Sequence, residues 1–159
     1  MKVTQSNLFP NIPISLSFIV GDIIIRFGGL ERVLFTALAR VKQKDEGEID
    51  DDQYFLELVG EHKDSPMGKL IEKGREQFKD HHFDWIDFDK LYDLKEQRNF
   101  IHDALIETSN GELRWQASGK KRKHRPMDYT ELLLFREAIE RTFLEIHEGS
   151  LEYKTGKRK

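Results

Sequence analysis

The chain lacks cysteine entirely and is poor in proline, with four prolines in 159 residues. Without cysteine it contains neither disulfide bonds nor thiolate metal sites. It also lacks a long hydrophobic run, because the most apolar stretch, from Ile12 to Phe27, is shorter than about 20 residues and carries Asp22 and Arg26. The first residues do not resemble a secretory signal, since Lys2 is followed by polar residues and prolines. We therefore expect a cytoplasmic protein with no membrane partner.

A strong excess of charge of either sign is also absent. The 26 Lys and Arg residues oppose 29 Asp and Glu residues, and the formal net charge is −3. This balance excludes a protein whose whole surface is basic, so any contact with nucleic acid must be local. The length suits one domain with its own core. We expect a single helical domain over residues 1–150 and a basic, flexible tail over residues 151–159.

Several catalytic signatures are missing as well. The sequence contains no HExxH, GxSxG, Walker or dinucleotide-binding motif. Predicted strands do not alternate with helices as they do in parallel nucleotide-binding sheets. Hydrolases and nucleotide-dependent enzymes of those classes are therefore not expected, and we expect neither a metal ion nor a cofactor.

Apolar residues recur every three or four positions over most of the chain, which is typical of helices with one buried face. The first such helix is predicted from Ile14 to about Val41. Gly28-Gly29 within it predicts a kink or a close approach of another backbone. The acidic segment from Asp45 to Asp52 is then either a charged loop or a connection whose last aspartates cap a short helix.

Three further helix starts are marked by caps. Ser65-Pro66 predicts a helix with serine as the N-cap and proline in the first helical position. Asp87 is expected to cap a helix whose apolar stripe runs from Leu91 to Leu105. The segment from Asp128 to Glu131 resembles a capping box for the last helix, which Gly149 is expected to end.

The pattern changes between the last two helices. Asn110-Gly111 either ends the preceding helix or turns a hairpin, and Leu113 and Trp115 alternate with polar residues as in a short strand. The predicted fold is therefore all-α, a helical bundle of about five helices with a small β-hairpin or loop insert before the last helix.

One helix carries a cation where its apolar stripe predicts a buried residue. The spacing reaches Arg98 between Leu94 and Ile101, and His102 lies one helical turn after Arg98. An arginine on a core-facing stripe must meet a carboxylate or a phosphate, or reach water, because desolvating its charge costs several kcal/mol. Two interpretations stay open. One is an internal ion pair with a carboxylate such as Glu31, and the other is a cleft in which Arg98 binds a phosphodiester while His102 transfers a proton.

The segment from Leu94 to Asp103, LKEQRNFIHD, resembles the Arg-Asn…His motif of the HEPN superfamily. These are small all-α domains found in prokaryotic toxin, abortive-infection and CRISPR-associated ribonucleases. The matching residues are Arg98, Asn99 and His102, with Glu31, in an early FGGLE segment, as a weaker match. Three residues separate the arginine from the histidine here, where the family has four to six.

The resemblance implies a homodimer in which two Arg98/His102 pairs face each other and form one composite RNA site. Arg98 would bind the phosphate, His102 would act as general acid and base, and Asn99 would orient the helix or contact the phosphate. In this form the protein is a metal-independent endoribonuclease of toxin or defence type, with an antitoxin or another regulatory protein as a further partner. The alternative is a non-catalytic HEPN-like binding or regulatory module, in which these residues are structural or recognise a phosphate without cutting.

A second candidate for RNA contact is a basic segment after the predicted strand. Its members are Lys120, Lys121, Arg122, Lys123 and Arg125. Trp115 lies near enough in sequence to offer a stacking surface. Such a segment binds a phosphate backbone with an affinity that falls as the salt concentration rises. The alternative is a solvated hairpin tip whose charge serves solubility.

A lesser alternative starts from His102-Asp103, the central pair expected in a metal-dependent HD phosphohydrolase. His81 or His82 upstream and Asp128 downstream would supply further metal ligands. This alternative leaves Arg98 on the buried stripe unexplained.

Overall fold

The computed structural model describes the backbone of residues 14–102, 104–109, 112–117 and 129–157, and the side chains of residues 18–99, 101 and 129–157. The predicted helical bundle of about five helices is confirmed within these ranges. In chain order the elements are α1 (Ile14–Asp45), α2 (Asp52–His62), α3 (Met67–Gln77), α4 (Phe88–His102), β1 (Ala104–Ser109), β2 (Glu112–Ala117) and α5 (Tyr129–Lys154). The two strands pair antiparallel, with Ala104 opposite Ala117 and Ser109 opposite Glu112.

The central element is α1, which contacts every other helix of the bundle. It continues as one helix through Gly28-Gly29. At Gly29 a side chain rather than a backbone comes near, because an added Cβ would lie 4.0 Å from the Phe143 ring. Neither α1, with its 32 residues, nor another helix in the described part of the chain has the length and apolar character needed to cross a membrane. The largest fully buried side chains of α1 are Ile23, Leu30, Leu34 and Leu38.

The last helix, α5, packs along α1 in the same direction. Asp22 pairs with Arg136 near one end of this contact. Near the other end, Arg40 donates a hydrogen bond to the Ser150 hydroxyl at 2.9 Å. Because the residue numbers of both helices rise together along the contact, the two helices are parallel. The apolar residues of α5 recur at helical spacing, and Leu132, Phe135, Ile139 and Ile146 are at most 3% exposed, whereas Phe143 is partly buried.

Two helix caps agree with sequence-based interpretations. The Asp87 carboxylate caps α4 as predicted, since Oδ1 accepts hydrogen bonds at 3.0 Å from the amides of Asp89 and Lys90. Asp51 caps α2 by accepting a hydrogen bond from the Tyr54 amide at 2.9 Å. Of the two interpretations of the acidic segment, the one in which its last aspartates cap a helix is therefore confirmed.

The predicted cap of α3 is wrong. The helix begins at Met67, and Pro66, not Ser65, occupies the N-cap position without a side-chain hydrogen bond. The acceptor comes from α1 instead, because Oε1 of Glu31 accepts a hydrogen bond from the Met67 amide at 3.3 Å. A carboxylate from a distant helix thus satisfies one of the free amides at the start of α3.

The end of α4 also differs from the prediction. The helix stops at His102, so Leu105, predicted on its apolar stripe, lies in β1. Leu91, Leu94 and Ile101 of the same stripe are buried as predicted. The hairpin follows α4 directly, and β2 lies against α4.

The last helix is longer than predicted. It continues through Gly149 to Lys154, so residues 151–154 are helical rather than part of a flexible tail, and Tyr153 is buried. Gly149 serves packing instead of helix termination, because an added Cβ would lie 2.2 Å from Cγ of Trp85. Asp128, the predicted cap of this helix, lies outside the described residues.

An aromatic cluster closes the bundle where α1 and α5 end. The Tyr153 hydroxyl donates a hydrogen bond to Asp45 at 2.8 Å, and Nε2 of His81 contacts the same carboxylate at 2.9 Å. The Phe83 ring stacks on His81 at 4.8 Å and meets Tyr153 edge-on at 4.9 Å. Burial and the hydrogen bond to Asp45 raise the pKa of Tyr153 to about 12.

Candidate functional site

Arg98 lies on the side of α4 that faces α1, between the buried residues Leu94 and Ile101. Its Cζ atom lies 4.9 Å from the centre of the Phe27 ring, within the range of a cation–π contact. Its Nη2 atom lies 3.8 Å from Oε1 of Glu31. The structure therefore brings together Arg98 and Glu31, two of the predicted site residues.

The contact between the two charges is loose. A separation of 3.8 Å is too long for a hydrogen bond, so the pair is held by charge alone. The side chains of Arg98 and Glu31 are 25% and 29% exposed, which places the pair at the edge of the core rather than inside it. Among the residues that the structure describes, the buried Nε atom of Arg98 has no hydrogen-bond partner. An unpaired buried donor costs about 1–3 kcal/mol, so the guanidinium is not fully satisfied by its surroundings.

Glu31 belongs to two contacts at once. The same oxygen, Oε1, accepts the Met67 amide at 3.3 Å and faces Arg98 at 3.8 Å. It therefore lies between the positive end of the α3 dipole and a guanidinium, and it ties α1, α3 and α4 together at one point. Its negative charge is shared between two partners, which leaves part of the positive charge of Arg98 uncompensated.

A second cation lies near Arg98 on α4. Lys95 is 17% exposed, and its Nζ atom lies 2.9 Å from Oε1 of Glu96 and 4.3 Å from the centre of the Tyr92 ring. Its aliphatic part packs beside Gly68 in the first turn of α3. The surface where α3 begins beside α4 thus carries two cationic side chains and the amide end of a helix, together with two carboxylates, Glu31 and Glu96, that partly neutralise them.

The other motif residues also lie on α4. Asn99 is half-buried next to Arg98, and His102 is the last residue of the helix. The backbone places His102 one turn after Arg98, about 6 Å along the axis and about 40° around it. The His102 side chain lies outside the described residues, and its role stays a prediction.

The basic segment, Lys120 to Arg125, lies outside the described residues as well. Trp115 belongs to β2 and is paired with Ile106 of β1. Because β2 lies against α4, the strand that carries Trp115 is near the helix that carries Arg98. The nucleic-acid role of these residues stays a prediction.

The histidines invoked by the HD alternative have different surroundings. His81 is held by Asp45 and stacked on Phe83, and His82 is exposed. Within the described part of the chain no three His, Asp or Glu side chains are placed to hold a metal ion. Asp103 and Asp128 lie outside that part, so this alternative stays a prediction too.

Two features of the site lie beyond sequence reasoning. One is the Phe27 ring beneath Arg98, and the other is the bond from Glu31 to the start of α3. A partial signal exists, since Phe27 and Glu31 are four residues apart and so share a face of α1. No residue close to Pro66 in sequence indicates that α3 begins there without a side-chain cap of its own.

Comparison with models of known protein families, with curated proteins and with solved structures gives no match. The similarity to the HEPN superfamily therefore depends on Arg98, Asn99, His102 and Glu31, together with the helical bundle that carries them.

Proposed function

We propose that the chain is a HEPN-like binding module of the cytoplasm that recognises a phosphate group of RNA through Arg98. The supporting observation is the position of the guanidinium, which lies over Phe27 and 3.8 Å from Glu31 while a quarter of the side chain stays exposed. Contacts on two sides limit the freedom that the arginine would lose on binding. Its planar fork matches two oxygens of a phosphate.

The charges around Arg98 favour an anion. Glu31 is engaged by the start of α3, so it neutralises Arg98 only in part. Lys95 on the same helix is paired with Glu96 at 2.9 Å, so Arg98 is the cation on which the proposal depends. A phosphate would supply the short, charge-assisted hydrogen bonds that Glu31, at 3.8 Å, does not make with Arg98.

The test is the affinity of purified protein for a labelled single-stranded RNA pool at low salt. We expect Arg98→Gln to weaken binding about 10- to 100-fold, since hydrogen bonds to charged groups contribute about 1.5–3 kcal/mol. Arg75→Gln is the matched control. It removes the same charge from an arginine that is 49% exposed and already paired with Asp89 at 2.5 Å.

Equal affinities of Arg98→Gln and Arg75→Gln would contradict the proposal. Thermal unfolding of both variants checks that a loss of binding is not a loss of fold. Glu31→Gln adds a second control, because removing a charge that competes with phosphate should leave binding unchanged or tighter.

A second candidate function is metal-independent RNA cleavage, which the continuous helix from Arg98 to His102 favours. His102 would take the proton of a 2′-hydroxyl, whose oxygen attacks the adjacent phosphorus, and a protonated His102, supplied by the second copy in the dimer, would give a proton to the departing 5′-oxygen. Arg98 would stabilise the charge on the phosphate. This version includes a homodimer with two facing Arg98/His102 pairs and an antitoxin or other regulatory partner.

Incubating the RNA pool with protein in excess EDTA separates the two candidates. Cleavage by wild type and not by His102→Ala, with 2′,3′-cyclic or 3′-phosphate ends, would establish the nuclease. Binding without cleavage would leave the binding module. Cleavage only after addition of Mn²⁺ would favour the HD phosphohydrolase instead.

The basic segment is a further RNA contact in this proposal. Replacing Lys120, Lys121, Arg122 and Lys123 with glutamine should weaken binding. The slope of log affinity against log salt concentration should also become shallower, by an amount that corresponds to up to about four phosphate contacts. An unchanged salt dependence would leave this segment as a solvated tip.

A further inference from the structure

The helix α1 has a second apolar face, directed away from its own bundle. We call it the α1 seam, and its members are Phe18, Gly21, Ile25, Gly28 and Arg32. Their spacing of three, four, three and four residues is that of the a and d positions of a coiled coil. Phe18 is 72% exposed and Ile25 is 76% exposed, although both lie on a helix whose other side is deeply buried.

The bundle itself does not explain this composition. No atom lies within 4 Å of the position that a Cβ would take at Gly21 or at Gly28, so neither glycine is needed for packing within the described chain. Each glycine in a helix interior costs about 1 kcal/mol relative to alanine. Large apolar side chains that share one exposed helix face are typical of interaction sites.

We propose that the α1 seam packs antiparallel against the α1 seam of a second copy of this chain. A two-fold axis beside Ile23 places Phe18 opposite Gly28 of the second copy and Gly21 opposite Ile25 of the second copy. Phe18 and Ile25 then each meet a glycine, and both copies use the same surface, as an isologous interface requires. A parallel pair would instead place Phe18 against Phe18 and glycine against glycine. The two phenylalanine rings would then overlap, and the facing glycines would leave empty space.

The charges beside the α1 seam are compatible with this pairing. On one flank Asp22 is engaged by Arg26 at 2.9 Å and by Arg136. On the other flank Glu31 faces Arg98. The carboxylates that would approach the same residues of the second copy are thus already paired with arginines. Arg32, at one end, is the single charged member of the α1 seam.

The size of the surface sets the expected strength. From Phe18 to Arg32 the α1 seam spans about 21 Å, and a helix is about 10 Å wide, so the contact face is about 210 Å². This is well below the roughly 800 Å² per partner of a standard stable interface. We therefore expect a weak, reversible dimer rather than an obligate one.

This dimer differs from the composite RNA site of the HEPN resemblance. Glu31 lies eight residues from the proposed axis, so the two Glu31/Arg98 sites are about 24 Å apart along the paired helices. Each copy keeps its own site. The inference therefore does not rest on the proposed function, and either can fail without the other.

Sedimentation velocity over a range of protein concentrations tests the proposal. We expect wild type to shift from monomer to dimer as its concentration rises, and Ile25→Glu to remain monomeric throughout. Leu56→Glu is the matched control, because Leu56 is 67% exposed on α2, outside the α1 seam, and should behave as wild type. Gly28→Leu should also abolish the dimer, by filling the space for Phe18 without adding a charge.

Because the chain has no cysteine, single introduced cysteines can test whether the two α1 helices pair antiparallel. Ile24 lies beside the proposed axis and is 45% exposed, so Ile24→Cys should form a disulfide-linked dimer under oxidation. Arg32→Cys should not, because its two copies would be about 27 Å apart. Cross-linking of both variants would indicate a parallel pair and overturn the proposed arrangement.

Three other outcomes would also overturn the proposal. These are a wild type that stays monomeric at every concentration, an Ile25→Glu variant that still dimerises, and an Ile25→Glu variant that unfolds while Leu56→Glu does not. The last result would show that the α1 seam is covered by its own chain.

Discussion

Gly149→Ala should destabilise the protein, although the same change usually strengthens a helix. Alanine is favoured over glycine in a helix by about 1 kcal/mol. At residue 149, however, the new Cβ would lie 2.2 Å from Cγ, 2.4 Å from Cβ and 2.5 Å from Cδ2 of Trp85. These atoms form the base of a rigid side chain, so rotating the indole does not remove the overlap. The whole tryptophan must move away from α5.

The expected size follows from two opposing effects. Overpacking a core costs about 1–3 kcal/mol, and the upper end applies where the neighbour cannot rotate away. After subtracting the gain in helix propensity, we expect Gly149→Ala to lose about 2 kcal/mol of unfolding free energy. For a protein of this length that corresponds to a decrease in Tm of about 4–8 °C.

Gly60→Ala is the matched control for this prediction. Gly60 is exposed on α2, and nothing lies within 4 Å of its would-be Cβ, so the variant should gain about 0.5–1 kcal/mol. Urea unfolding followed by far-UV circular dichroism measures both free energies. If Gly149→Ala is as stable as Gly60→Ala, the close packing of Trp85 on α5 is wrong.

Three further predictions concern a cap and two titrating groups. Asp87→Ala should lower the unfolding free energy by about 1 kcal/mol in urea, because α4 loses its N-cap, and an unchanged value would contradict that role. Tyr153 has a pKa raised to about 12, above its ordinary value near 10, so its stabilisation is complete below about pH 10 and is lost as the pH rises toward 12. Tyr153→Phe should therefore flatten alkaline unfolding curves, and an equally steep curve would count against the bond to Asp45. Burial and the nearby Lys73 ammonium lower the pKa of His62 from 6.5, so its stabilisation is present above about pH 6.5 and is lost below it. His62→Gln should make stability less dependent on pH in acid, which chemical unfolding at several pH values will show or refute.

Local patterns were enough to predict much of the bundle. The buried stripe of α4 and the Asp87 cap depend on residues within a few positions of each other, where periodicity and capping chemistry act. The end of α5 does not follow from the same rule. Gly149 is a stop signal by local rules, but the helix continues through it, and the glycine is required because Trp85, far away in sequence, packs against it.

The candidate site shows the same division. A cation that interrupts an apolar stripe is enough to predict Arg98, and Glu31 is one of the carboxylates expected to pair with it. The start of α3 does not follow from the sequence, because its acceptor, Glu31, is 36 residues away from Met67. Such contacts depend on how helices are placed in space, and no spacing within one helix reveals them.

The parallel packing of α1 and α5 has a consequence for how the chain is made. Lys44 and Tyr153, which touch in the folded protein, are separated by 109 residues. At a synthesis rate of about 5–20 residues per second, α5 is therefore synthesised roughly 5–20 s after α1, and until then α1 lacks this packing partner. During that time the face of α1 that α5 covers is exposed. The nascent chain thus presents apolar surface that chaperones can bind, and the distant α1–α5 contacts predict slower folding than that of helical bundles with only local contacts.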